Sequence, residues 1–132
     1  LAALVAAAIV GFLLITRGNS AKAARIDAVR SSIQTFDAAV RNGDLAALRN
    51  VTCGQTRDTY VNYDDKAWAD AYSKISEAKQ YPVVASIDEV VVNGEHAEAN
   101  VTSYMAFDPT TTSTRSFDLQ LRDDQWKICQ SS

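Results

Sequence analysis

Asn93-Gly94 lies between two stretches of regularly placed apolar residues, and it constrains the fold more than any other feature. Asn-Gly adopts positive φ easily, and a two-residue turn of that kind joins antiparallel strands with matching twist. Val83 to Val92, upstream, is rich in Val and Ile. Glu95 to Phe107, downstream, alternates. Ala97, Ala99, Val101, Met105 and Phe107 share one face, and Glu98, Asn100, Thr102 and Tyr104 the other. Asp108-Pro109 and the Thr/Ser run to Thr114 read as a longer, flexible connection. Arg115 to Arg122 alternates again with Phe117, Leu119 and Leu121 inward, and Asp123-Asp124 turns the chain into Gln125 to Cys129. Four antiparallel strands follow, with one face covered and the other polar.

The preceding segment has helical periodicity. Gly18-Asn19-Ser20 breaks an apolar run and offers a helix N-cap. From Ala21 to Asn42, Ile26, Val29, Ile33, Phe36 and Val40 recur at steps of three and four, forming one apolar face. Asn42-Gly43 ends this helix, and Asp44 caps a short one from Leu45 to Asn50. Val51 to Gly54 reads as a loop. Thr56 to Tyr63 is a further helical candidate, and Asp64 or Asp65 caps a clearer helix from Lys66 to Lys79. Tyr60, Tyr63, Trp68, Tyr72 and Tyr81 crowd this middle section. Their rings favour burial and their polar atoms need partners, as at the mouth of a pocket or an interface, and a lid over the sheet is the plainer reading. About three helices on a four-stranded sheet is an α+β architecture.

Leu1 to Ile15 contains no charged or polar side chain. As a helix it would be about 22 Å long at roughly 1.5 Å per residue. A full membrane span takes about 20 residues, so residues 1–17 read as a signal-anchor whose start is truncated. Leu4, Val5, Ile9, Phe12, Leu13 and Leu14 would face lipid. Residues 18–24 then form a juxtamembrane linker and 25–132 the domain. A leftover signal peptide and a buried core helix are the alternatives.

A net charge of -3 over 132 residues argues against nucleic acid as a partner. Arg17, Lys22, Arg25 and Arg30 beside the span favour a cytoplasmic side, whereas two cysteines favour an oxidising one. The cysteines are given the greater weight, which places the domain on the extracytoplasmic (periplasmic) side of the cytoplasmic membrane. Cys53 and Cys129 as buried free thiols is the competing reading. Two cysteines and the single His96 are too few ligands for a metal site.

Several elements together resemble a known group. They are the long helix ending in Asn42-Gly43-Asp44, the short helix before Thr52-Cys53, the strand pair from Ile87 through Asn93-Gly94 to Val101, and the terminal Trp126-Lys127-Ile128-Cys129. In this order they resemble the small extracytoplasmic domains of nuclear transport factor 2-like (cystatin-like) fold that follow single anchors or lipid anchors in mycobacteria and other actinobacteria. The resemblance covers roughly Ala21 to Cys129. It implies a bent sheet forming a cone with helices in its concavity, and a disulfide between Cys53 and Cys129. Alternation puts Trp126 and Ile128 on one face and Cys129 on the other, so a bulge or strand end is expected at Cys129.

No stretch carries a recognisable reaction. His96 stands two residues after a hairpin turn, Tyr104 and Asp118 oppose the apolar face of their strands, and no triad or Gly-rich phosphate loop is present. The expectation is a non-enzyme without cofactor, catalytic residue or metal. Two functions fit. One is an accessory or scaffolding subunit of a cell-envelope membrane complex, with the bilayer and other membrane-protein subunits as partners. The other is a binding or carrier module for a lipid or small apolar ligand, which resemblance links to actinobacterial lipid importers. Phe36, Trp68, Tyr72, Met105, Phe107 and Trp126 are the candidate pocket lining. A filled cone would favour the first, and an open cavity of a few hundred cubic ångströms the second.

Overall fold

A computed structural model describes residues 2–131, with side chains from residue 21 onward. The element order is α1 (Ala2–Asn42), α2 (Leu45–Val51), α3 (Gly54–Val61), α4 (Asp65–Glu77), β1 (Pro82–Asn93), β2 (His96–Met105), β3 (Asp108–Arg122) and β4 (Gln125–Ser131). The strands form one antiparallel sheet in the order β1-β2-β3-β4. Among the described residues there are thus four helices where about three were expected. The additional one is α3, which begins at Gly54 directly after the cysteine.

α1 is continuous through Gly18-Asn19-Ser20, so the expected break and N-cap are absent there and the backbone of residues 18–24 is helical. A single interior glycine costs about 1 kcal/mol, too little to stop a helix that resumes with the strong formers Ala21-Lys22-Ala23-Ala24-Arg25. The proposed anchor residues Leu4, Val5, Ile9, Phe12, Leu13 and Leu14 lie outside the described side chains. Among the described residues, no helix is long and apolar enough to cross a membrane.

The apolar stripe of α1 packs on the sheet as its spacing dictates. Val29, Ile33, Phe36 and Ala39 are buried against Ala97, Ala99 and Val101 of β2, Phe117 and Leu119 of β3, and Trp126 and Ile128 of β4. Phe36 meets Phe117 edge to face, with ring centroids 6.1 Å apart. β1 bends because its register with β2 slips twice, leaving Ala85 and Asp88 as the extra residues. α1 holds the bent strand at both places. Asp37 Oδ1 accepts the Val84 N–H at 2.9 Å, and Arg30 donates to the Ile87 carbonyl at 3.0 Å.

The flexible connection expected from Asp108 to Thr114 does not exist. β2 and β3 are joined by a turn at Ala106 and Phe107, and the Thr/Ser run belongs to β3. β-branched threonines suit an extended backbone, which explains the outcome. At the opposite end, β4 slips once against β3, between Asp118 and Leu119, leaving Cys129 as the bulged residue. The bulge turns Cys129 from the alternation toward α3, where it forms a disulfide with Cys53. Around this bond Thr52 makes a parallel bridge to Ile128, the Cys53 N–H donates to the Ile128 carbonyl at 2.8 Å, and Thr56 Oγ1 donates to the Cys129 carbonyl at 3.0 Å.

Candidate functional site

α3 and α4 cover one end of the concave sheet face without filling it. A partly open cavity of about 330 Å³ remains between them, α1 and the sheet. Its position follows from the Asn42-Gly43-Asp44 corner. Gly43 has φ +66°, and Asp44 accepts the Ala47 N–H at 3.1 Å to start α2. Trp68 Nε1–H donates to the Gly43 carbonyl at 2.8 Å, and the Tyr72 hydroxyl donates to the Arg41 carbonyl. Asp64 caps α4 by accepting the Ala67 N–H at 2.7 Å. The aromatic face of α4 is therefore seated on the end of α1.

Four aromatic rings form the helical wall. Trp68 packs edge-on against Tyr60 (centroids 6.0 Å) and Tyr63 (5.3 Å), and stacks on Tyr72 at 5.8 Å. Arg49 secures α3 beneath them by donating from Nε to the Tyr60 carbonyl at 3.1 Å and from its other terminus to the Tyr63 carbonyl. The rest of the wall includes Phe36 and Val40 of α1, Ile75 of α4, and Val84, Ser103 and Phe117 of the sheet. Thr59, Gln80, Arg115 and Ser131 are exposed lining residues and mark the rim.

Polar groups at the cavity divide into committed and free. Asp37 is buried, with one oxygen taken by the Val84 N–H and the other by Arg41. Ser103 is 4% exposed and lines the cavity. Burial raises the pKa of the Tyr60 phenol, so it is neutral and able to donate at physiological pH. Asp37 has no free acid-base partner beside it, and His96 is exposed on the hairpin. Among the described residues no group of three or more potential ligands could hold a metal ion.

The six lining residues expected from sequence are divided by the structure. Phe36, Trp68 and Tyr72 line this cavity together. Met105 is half-buried at the end of β2 and does not reach it. Phe107 is 59% exposed at the β2–β3 turn, and Trp126 is buried in the core beside a separate shallow cleft. Alternation assigned Met105 and Phe107 to the covered face, but that face ends where the strand leaves the helices.

Asp37, Ser103 and Arg115 were not singled out by sequence. Asp37 follows Ile33 by four residues and precedes Val40 by three, so an acid on the apolar stripe was a readable signal. Ser103 likewise interrupts the inward series Ala97, Ala99 and Val101. Arg115 shares the parity of Phe117, Leu119 and Leu121, so a charge at the start of that inward series was readable too.

No family model and no curated protein matches the chain. Solved structures do. A protein of unknown function from Silicibacter pomeroyi has a TM-score of 0.59 at 19% identity, covering 83% of this chain and 94% of its own. Its description is nuclear transport factor 2-like. The chain has the nuclear transport factor 2-like fold. A second such protein of unknown function, from Shewanella oneidensis, has a TM-score of 0.59 at 16% identity and covers 80% and 94%. A putative dehydratase of nuclear transport factor 2-like type from Streptomyces avermitilis has a TM-score of 0.50 at 13% identity and covers 83% and 94%. The fold thus serves proteins of different description, and at these identities the likeness fixes the fold alone.

Proposed function

We propose that this chain is a non-catalytic binding module, tethered to the cytoplasmic membrane by residues 1–17, that holds a small and largely apolar molecule on the extracytoplasmic side. The observation that carries the reading is the aromatic-walled cavity of about 330 Å³ at the mouth of the cone, at the lower end of the range for small-molecule sites. Asp37 hydrogen-bonds to the fold itself, which supports binding without proton transfer. The Cys53–Cys129 disulfide supports an oxidising compartment. A carrier role beside a lipid importer fits these features.

A second reading, an accessory subunit of a membrane complex, is favoured by one region. Phe107 is exposed at the tip of the β2–β3 hairpin, and residues 109–116 of β3 extend beyond the part paired with β4. An exposed ring beside an open strand edge is a docking surface for a protein subunit.

Thr59→Trp separates the two. Thr59 is an exposed α3 residue on the rim, and an indole there would plug the cavity at small folding cost. Tagged full-length chain is purified in mild detergent and its bound small molecules are identified by mass spectrometry. The binding reading expects a molecule retained by the parent chain and missing from the variant. Equal recovery from both, with a protein subunit retained by both, would leave the accessory reading in its place.

A further inference from the structure

The register of β3 on β2 brings a charge to this cavity, at a position of the same parity as Phe117, Leu119 and Leu121. Arg115 pairs with Val101, and Ser113 with Ser103. Directly opposed residues in an antiparallel pair project to the same face, and Val101 and Ser103 project inward. Arg115 therefore leaves β3 on the cavity side, diagonal to Ser103 at roughly 7–8 Å between the strands, within range of a long side chain. It lines the rim and is exposed.

Among the described residues, one acidic and one basic side chain line the cavity, and they are not equivalent. Asp37 is paired with the half-exposed Arg41 and hydrogen-bonded by the Val84 N–H. Arg115 makes no ion pair and no side-chain hydrogen bond among the described residues. One uncommitted positive charge thus stands at the entrance to an apolar, aromatic interior. Guanidinium presents a planar fork of donors that matches a carboxylate in a way an ammonium or a neutral group cannot. The depth of the site offers rings for an apolar body and the Ser103 hydroxyl for one polar atom.

We propose that the cavity selects a small amphipathic carboxylate, its head on Arg115 and its apolar body against Trp68 and Phe36. This rests on the binding reading above and adds the chemistry of the head group. The opposite orientation would bury a carboxylate beside Asp37, which like-charge repulsion and desolvation disfavour.

The test uses three water-soluble probes with one apolar body and different heads: phenylbutyrate, phenylbutanol and phenylbutylamine. Each is titrated into the full chain held in nanodiscs, and binding is followed by the NMR shift of the Trp68 indole N–H. Trp126, buried away from the cavity, serves as the internal control. Phenylbutyrate should bind about tenfold more tightly than phenylbutanol, the difference expected for one charge-assisted contact, and phenylbutylamine most weakly. Arg115→Gln should bring the acid down to the level of the alcohol while leaving the alcohol unchanged. Equal binding of acid and alcohol, or a preference for the amine, overturns the carboxylate assignment and leaves the binding reading standing. No shift of Trp68 with any probe, in a chain whose Trp126 signal reports a folded domain, overturns both.

Discussion

The ring of Tyr72 lies against the backbone of Gly43 so closely that a Cβ added there would sit 2.5 Å from two ring carbons. The ring has little room to move, because Trp68 stacks on it and its hydroxyl is bonded to the Arg41 carbonyl. Gly43 also has φ +66°, a conformation that L side chains rarely adopt. One glycine thus ends α1, starts the corner and seats the helix that walls the cavity. Gly43→Ala should cost about 2–4 kcal/mol, combining left-handed strain with overpacking. Denaturant unfolding measures it, and a double-mutant cycle with Tyr72→Ala should recover part of the loss. Purely additive effects would show that the ring is not what excludes the side chain.

Asp37 connects α1 to the bent strand through one oxygen and to Arg41 through the other. Asp37→Ala leaves the part-buried Val84 N–H without its acceptor and removes a buried carboxylate, so a loss of about 2–3 kcal/mol is expected. Asp37→Asn keeps an acceptor for Val84 and should cost about 1 kcal/mol, since the Arg41 side chain is half exposed and that ion pair is worth little. If Asn and Ala lose equally, the charge is the stabilising element and the strand contact is secondary.

Asp88 stands on the second bulge of β1, where Ser86 Oγ donates to it at 2.6 Å and Thr102 Oγ1 donates to its other oxygen. These two hydrogen bonds, Ser86 first, hold its pKa below the ordinary 3.8. A depressed folded-state pKa makes a contribution that is present above about pH 4 and lost as the pH falls through the folded value. Carboxyl NMR titration should therefore place the Asp88 midpoint below 3.8, and Ser86→Ala should move it upward. A midpoint indifferent to that substitution would mean the hydrogen bond does not form in solution.

Much of this architecture is legible residue by residue, because burial imposes period two on the strands and 3.6 on the helices. Asp44 and Asp64 mark their caps in place, since each acts within three or four residues. Asn93 instead ends β1 paired with His96, and the hairpin turn falls one residue later, at Gly94-Glu95 with Gly94 at φ +63°. The same logic misplaced the Thr/Ser run of β3. Polar composition there reads as loop, but pairing with β2 organises it as strand. The aromatic wall was visible as a crowd of rings, though not as a surface. Asp37, Ser103 and Arg115 each fall on the inward side of their own element, but that they share one cavity depends on a helix face, a bulged register and a strand pairing that converge only in the fold. Cys129 illustrates the limit well. Alternation places the irregularity at Cys129, but that the turned side chain meets Cys53 depends on where α3 stands against β4.

The disulfide closes a separation of 76 residues, joining the pivot between α2 and α3 to the last strand. In the loop-entropy picture a closure of this length stabilises by roughly 4–5 kcal/mol, and engineered examples often fall short of such values. The net stability of a domain this size is of the same order. The bond also has a positional role. Gly54, with φ +59°, begins α3 directly beside Cys129, whose carbonyl and Cβ would lie 3.6 and 3.9 Å from a side chain placed there. Losing the bond therefore loosens α3, and with it Tyr60 and the rim residue Thr59. Cys53→Ser should lower the melting temperature under oxidising conditions and leave it little changed from the parent chain under reducing ones. The Trp68 indole signal should broaden before the Trp126 signal as the bond is reduced, because Trp68 packs on α3 and Trp126 on the core. Equal loss of stability in both buffers would assign the effect to packing around the thiols, and simultaneous broadening of both indoles would mean that α3 and the core unfold as one unit.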